Sequence, residues 1–257
     1  MTAATPAVGP RPSFITRPTP PRPRGPLALF GDALRRPGGR RGLTIIWVVL
    51  LTAGVGMFAY PFATDLYTHR LQTQLEHQFT SPQTIEDYRL HRVKIGEGLT
   101  RIRIPKIGLI VVVVQGTTPS ALQAGAGHYI STPLPGELGN VGIAGHRTTF
   151  GKPFNRLDEV APGDKIYLDT PFATFEYTAV ATWDGLVNPH PVAPDDVSVL
   201  DQPKNQYLLT LTTCHPKGSA AQRLVLRAKL TAKALDPKYA KAPTPATSPA
   251  PKGSTKK

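Results

Sequence analysis

The chain has 257 residues, 28 prolines, one cysteine and a formal net charge of +13. Even mixing of that charge and proline would suggest disorder or nucleic-acid binding. Residues 1–42 carry +7 and residues 236–257 carry +4, however, so the middle is nearly neutral and lacks the basic footprint that a nucleic-acid partner requires.

Residues 1–42, with nine Pro, eight Arg and no apolar periodicity, read as a disordered arm. The run LTIIWVVLLTAGVGMFAYPFA, residues 43–63, is uncharged for 21 residues, long enough at helical rise to cross a hydrocarbon core of about 30 Å. Core helices are seldom apolar on every face for so long, and the apolar region of a signal peptide is shorter, about 7–15 residues. A transmembrane helix is therefore expected, with Trp47 and Tyr60 as interfacial anchors. Arg35, Arg36, Arg40 and Arg41 precede it, whereas Asp65 and Glu76 accompany Arg70 after it. The positive-inside rule then places the N-terminus in the cytoplasm and the larger part of the chain outside. Outside the cell, a single cysteine cannot form an internal disulfide, so it pairs between chains, is incidental, or is reactive.

Residues 64–97 are expected to form a stalk. Leu66, Leu71, Leu75 and Phe79 recur at near-helical spacing, and Ser81-Pro82 marks a helix end. From residue 98 to 235 the texture changes to short β-type runs separated by Gly, Pro and Asp. Strands are expected at 101–105, 110–116, 140–146, 165–170, 174–182, 185–189, 207–214 and 223–230, with short helices in 119–125 and 151–160. Eight short strands without a long intervening helix predict an all-β domain, a small barrel or sandwich. Residues 236–257, rich in Pro, Ala and Lys, read as a second disordered tail.

Three residues in the β region carry chemistry. Cys214 ends the apolar run YLLTLTTC beside Thr212, Thr213 and His215, a polar setting in which a buried, inert thiol is not expected. His146 follows the strand NVGIAG and precedes a Gly/Thr-rich loop, so its imidazole should sit at a strand end, where it can serve as acid, base or ion-pair partner of a thiolate. Arg223 lies nine residues past Cys214, and an antiparallel turn would bring its guanidinium beside the thiol as an oxyanion donor. His69, His77, His91 and His190 read as surface histidines, Arg227 as a surface arginine, and His215 as a structural or specificity residue. No metal-ligand spacing is present; Asp158-Glu159 and Asp195-Asp196 read as solvated loop charges.

Taken together, TLTTC (210–214), NVGIAGHR around His146 and RLVL beginning at Arg223 resemble the sortases, cysteine transpeptidases of Gram-positive envelopes whose signature is TLxTC. The resemblance covers about residues 98–232, including IRIPKIGLIVVVVQG. AGAGHY, STPLPGELGN, AGHRTTFGKPFNRLDEV and LTLTTCHP are most similar to class E sortases of high-GC actinobacteria. It implies a closed eight-stranded β-barrel, no cofactor, and partners comprising secreted proteins with a C-terminal sorting signal and a peptidoglycan-precursor amine. It further implies Cys214 as nucleophile, His146 as acid/base partner and Arg223 as stabiliser of oxyanion and substrate, cleaving an LPxTG or LAxTG signal between Thr and Gly through a thioester. Thr213 and Phe150 are the implied substrate contacts. Phe150 departs from the class E pattern, where tyrosine is common, and that substitution bears on motif preference. The competing readings are a cysteine hydrolase, an L,D-transpeptidase, whose His-Gly and Ser-x-Gly-Cys elements lie close together whereas 68 residues separate His146 from Cys214 here, and a non-catalytic envelope-binding β-domain.

Overall fold

A helix, α1 (Pro37–Phe79), takes up the apolar run and continues past it, with Pro61 inside it. This computed structural model describes Gly25 and residues 37–79 and 81–235; the expected tail, and the expected arm apart from Gly25 and 37–42, lie outside the described residues. The chain divides into two units, Met1–Val55 and Gly56–Lys257. In the first, the large apolar side chains from Leu43 to Val55, Trp47 among them, are exposed. A helix apolar on all faces is solvated by lipid and not by water, so this one fits a single-pass membrane anchor.

In the second unit, Thr64, Thr68, Leu75 and Phe79 of α1 are buried, so the expected stalk is a docked helix. Leu75 and Leu71 pack on Val112 and Val114, which project from the outer face of a strand. Gln72 reinforces the contact through its amide: Nε2 donates to the carbonyls of Val112 (3.0 Å) and Ala124 (2.6 Å), and Oε1 accepts from Val112 N–H (2.7 Å). One side chain thereby satisfies backbone groups that no neighbouring strand reaches. Ser81 then caps a second helix, α2 (Pro82–Arg89), accepting from Thr84 N–H.

The β region follows: β1 (Gly98–Ile104), β2 (Leu109–Gln115), helix α3 (Pro119–Gln123), β3 (Ala126–His128), β4 (Gly139–Gly145), β5 (Lys165–Asp169), β6 (Ala173–Ala179), β7 (Thr182–Trp183), β8 (Leu186–Val187), β9 (His190–Val192), β10 (Tyr207–His215) and β11 (Gln222–Leu235). The sheet runs β10-β4-β3-β2-β1-β5-β6-β11, and β10 also pairs with β11, closing an eight-stranded barrel. β9 pairs with β11 outside the ring. Alternation directs one set of side chains inward: β6 alternates buried and half-buried positions along its whole length. Ile102, Ile104, Val113, Ile143, Leu168, Tyr177, Leu211 and Leu226 belong to the resulting single core.

Two expectations change. Residues 185–189 supply no barrel strand: Leu186–Val187 pairs only with Thr182–Trp183 in a separate hairpin. The eighth strand is Ala126–His128, too short for a periodicity signal and specified by its two neighbours, parallel β2 and antiparallel β4. His190 is buried and stacked on Trp183, with ring centroids 4.1 Å apart, and the Arg227 guanidinium lies over the same indole at 4.6 Å. Neither is the solvated surface residue that the sequence suggested, because the 180–206 segment folds back over the outer face of β11.

His128 is fully buried: Nδ1 lies 2.8 Å from Gln115 Oε1, and Nε2 lies 2.9 Å from the Pro133 carbonyl. Burial pushes its pKa from the ordinary 6.5 down to about 4. Between those values the unfolded chain binds a proton that the folded chain excludes, so stability is lost as pH falls from 6.5 towards 4. Roughly 3 kcal/mol is expected from this group. Denaturant titrations of wild type and His128→Gln at pH 7, 5.5 and 4 check this; the wild-type advantage should shrink as pH drops.

Candidate active site

The register of three strands assembles the site. β4 and β10 run parallel, with Tyr207 opposite Gly139 and Thr212 opposite Ala144. The pairing ends there; carried two residues further, its offset of 68 residues would set His146, which immediately follows β4, opposite Cys214. On the other side of β10, Cys214 is paired directly with Arg223 of antiparallel β11. Residues opposite each other across adjacent strands project from the same face, about 4.8 Å apart from strand to strand. Cys214 and Arg223 are therefore cross-strand neighbours, His146 lies one residue past the end of β4 beside the end of β10, and all three are half-buried.

Each is held locally. Arg223 Nη1 reaches Cys214 Sγ at 3.8 Å and donates to the carbonyls of Ala220 and Gln222, both at 3.2 Å, so the turn after β10 aims the guanidinium at the sulfur. Thr213 is buried, and its hydroxyl donates to the Gly145 carbonyl at 2.7 Å, tying the Cys214 strand to the His146 strand from below. Gly145 is needed for close approach, since a Cβ there would meet the Phe154 ring at 2.6 Å. His146 itself has its pKa pushed below the ordinary histidine value by burial, which favours a neutral imidazole.

Beyond His146 the chain makes a tight loop in which Phe150 (φ 50°) and Lys152 (φ 39°) flank Gly151 (φ 69°) in the left-handed region. Holding non-glycine residues there costs about 1–3 kcal/mol each, so neighbouring contacts must hold the loop in place. The Phe150 ring packs on His146 with centroids 5.3 Å apart.

Sequence reasoning passed over the next residue. Arg147 is 3% exposed, and its Nη1 donates to the Cys214 carbonyl and to His215 Nδ1, both at 3.2 Å, while Nη2 pairs with Asp158 Oδ1 at 3.0 Å. It ties the chain just after His146 to the chain just after the thiol. His215 is thereby accounted for as an acceptor for Arg147, and Asp158 as an ion-pair partner of Arg147 rather than a free loop charge. Arg147 was visible within the GHR motif, but nothing in a linear sequence distinguishes a buried arginine from a solvated one. Tyr129, whose hydroxyl is 3.0 Å from that of Thr212, joins the same face one step along β10 from Cys214. Among the described residues no group of His, Cys, Asp and Glu could hold a metal ion.

A thiol flanked on one side by an imidazole and on the other by a guanidinium can attack a carbonyl, exchange protons with the departing or incoming group, and stabilise the oxyanion. A closed barrel presenting these residue types has the parts that acyl transfer through a cysteine requires. Residues 102–231 match the Sortase domain family, and the chain belongs to that family. It is 33% identical over 150 residues to Sortase SrtE1 of Streptomyces coelicolor, covering 52% of this chain and 41% of that protein. It is 32% identical over 137 residues to Sortase D of Bacillus subtilis, covering 52% and 64%. The chain thus spans less than two thirds of either relative. Among solved structures, a Clostridium perfringens Sortase D5 transpeptidase superposes with TM-score 0.54 at 28% identity, over 66% of this chain and 99% of that one. SrtF sortase from Corynebacterium diphtheriae gives 0.53 at 28% identity, over 62% and 93%.

Proposed function

We propose that this protein is a membrane-anchored cysteine transpeptidase of the class E type. It cleaves an LAxTG or LPxTG sorting signal between Thr and Gly and transfers the secreted protein to an amine of a peptidoglycan precursor. The observation that carries the reading is the pairing of Cys214 with Arg223 across β10 and β11, beside the end of β4 from which His146 follows. Cys214 passes its thiol proton to His146 as its sulfur attacks the threonine carbonyl carbon, with Arg223 donating to the oxyanion. His146 protonates the departing glycine nitrogen as the C–N bond breaks, leaving a thioester. The acceptor amine then attacks the same carbon, His146 takes its proton, and the C–S bond breaks to restore the thiol. In this scheme Phe150 lines the peptide path, and Thr213 acts beneath it by holding the two catalytic strands in register. The arginines before the apolar segment support a cytoplasmic N-terminus, with the barrel on the outer face where substrate and acceptor meet.

The full chain in detergent, given a fluorogenic LAxTG or LPxTG peptide and an added amine, should release the C-terminal fragment and form the amide with the amine. Absence of both products across a panel of such peptides overturns the reading. Phe150 modulates the preference: Phe150→Tyr places a hydroxyl beside His146 and should change the LAxTG to LPxTG ratio of kcat/KM by roughly 3- to 10-fold. An unchanged ratio removes residue 150 from motif recognition.

A further inference from the structure

We propose that Asp65, the first charged residue after the apolar segment, is a positioning residue for the loop that carries Phe150 against His146. This inference rests on the acid/base reading of His146. The Asp65 carboxylate accepts from Gly151 N–H at 3.1 Å through Oδ1 and from Lys152 Nζ at 2.6 Å through Oδ2. It therefore grips two consecutive left-handed residues of the loop, directly after Phe150, which is left-handed as well. One turn further along α1, Thr68 seats the loop: a Cβ on Gly151 would strike Thr68 Cγ2 at 2.9 Å. Thr68 is itself fixed, donating to the Gln123 carbonyl at 2.8 Å. The loop backbone is strained and short, so a carboxylate bonded to both an amide and an ammonium selects one of its conformations.

The consequence is a link within the second unit: Asp65, two residues beyond Ala63, sets the loop that carries Phe150 against the imidazole. Two contacts continue that link through the fold: Phe150 bears on the His146 ring, and the His146 carbonyl accepts from Phe154 N–H at 3.2 Å at the far side of the loop. Release of the Asp65 grip frees the Phe150 ring and broadens the orientations open to His146.

The test uses the full chain in detergent, with Asp65→Ala, Asp65→Asn and, as a control on an exposed position of the same helix, Thr73→Ala. Two readouts are taken: kcat and KM for the sorting peptide, and the pH dependence of Cys214 alkylation by iodoacetamide. Asp65→Ala should lower kcat on the order of tenfold with a smaller change in KM, and should shift the alkylation profile. Asp65→Asn, which keeps an acceptor for Gly151 N–H but loses the ion pair, should fall between it and wild type; Thr73→Ala should match wild type. Wild-type kcat and an unmoved alkylation profile in Asp65→Ala overturn the proposal. So does a loss of activity that only tracks a lowered melting temperature while the profile stays in place. Failure of the sorting reading appears separately, as a wild-type chain inert towards peptides, and the alkylation arm still decides the role of Asp65 in that case.

Discussion

Cys214→Ala is expected to abolish both peptide cleavage and amide formation, a loss of at least about 10⁴-fold in kcat, because neither His146 nor Arg223 can form the proposed thioester. The fold should survive. Cys214 is half-buried at the end of β10, and the residues that hold β10 in the barrel, Leu209 and Leu211 inside and Thr213 on the Gly145 carbonyl, are untouched. Unchanged melting temperature together with lost turnover separates chemistry from stability. Mass spectrometry adds a positive signature: wild type incubated with peptide and no amine accumulates an adduct of the acyl fragment that Cys214→Ala lacks. Retained turnover in Cys214→Ala would take the thiol out of the mechanism and overturn the thioester reading.

The second large effect falls on Arg223. Its guanidinium is shared between the sulfur, at 3.8 Å, and two carbonyls of the adjoining turn, at 3.2 Å. A planar fork can keep those backbone contacts and still direct a donor at the developing oxyanion; a lysine ammonium is a point charge on a flexible stem and cannot do both. Arg223→Lys is therefore expected to lower kcat on the order of 10²-fold, the usual cost of removing one oxyanion donor, with a smaller change in KM. Steady-state kinetics with the sorting peptide measure this. Near wild-type turnover would take Arg223 out of the mechanism and leave it as a brace for the turn.

The differing sizes of these effects follow from what each group touches. Arg147, by contrast, contacts the site through a carbonyl and the His215 ring, and is buried with its charge matched by Asp158. Its removal would empty a buried site and take the donor from the Cys214 carbonyl, and so act first on the fold. That is why Arg223 and not Arg147 is the informative arginine for catalysis.

How much of this was legible in advance differs from element to element. The apolar run 43–63, the lone thiol at a strand end, the histidine after NVGIAG and the arginine nine residues past Cys214 are local signals. They carry the chemistry proposed above, and strand length and turn length alone bring Arg223 to Cys214. The His146 to Cys214 alignment needed more, since a parallel pairing between segments 68 residues apart leaves no mark in either one. Three features depended wholly on tertiary structure. β3 is three residues long and exists only because β2 and β4 pair with it on both sides. Arg147 and His190 are polar residues that the fold buries and Arg227 one that it half-buries, and burial is a property of what packs over a residue, not of the residue. The helix after the apolar run carries a periodicity that announces an amphipathic helix without naming its partner; only the folded chain shows that Leu75 and Gln72 face β2 and that Asp65 reaches the loop beside His146. The sequence by itself therefore determined the family and the candidate residues for the proposed reaction, because thiol, imidazole and guanidinium are recognisable by kind and local spacing. The tertiary structure decided how they are held, because long-range register and burial arise from contacts between segments that no single stretch encodes.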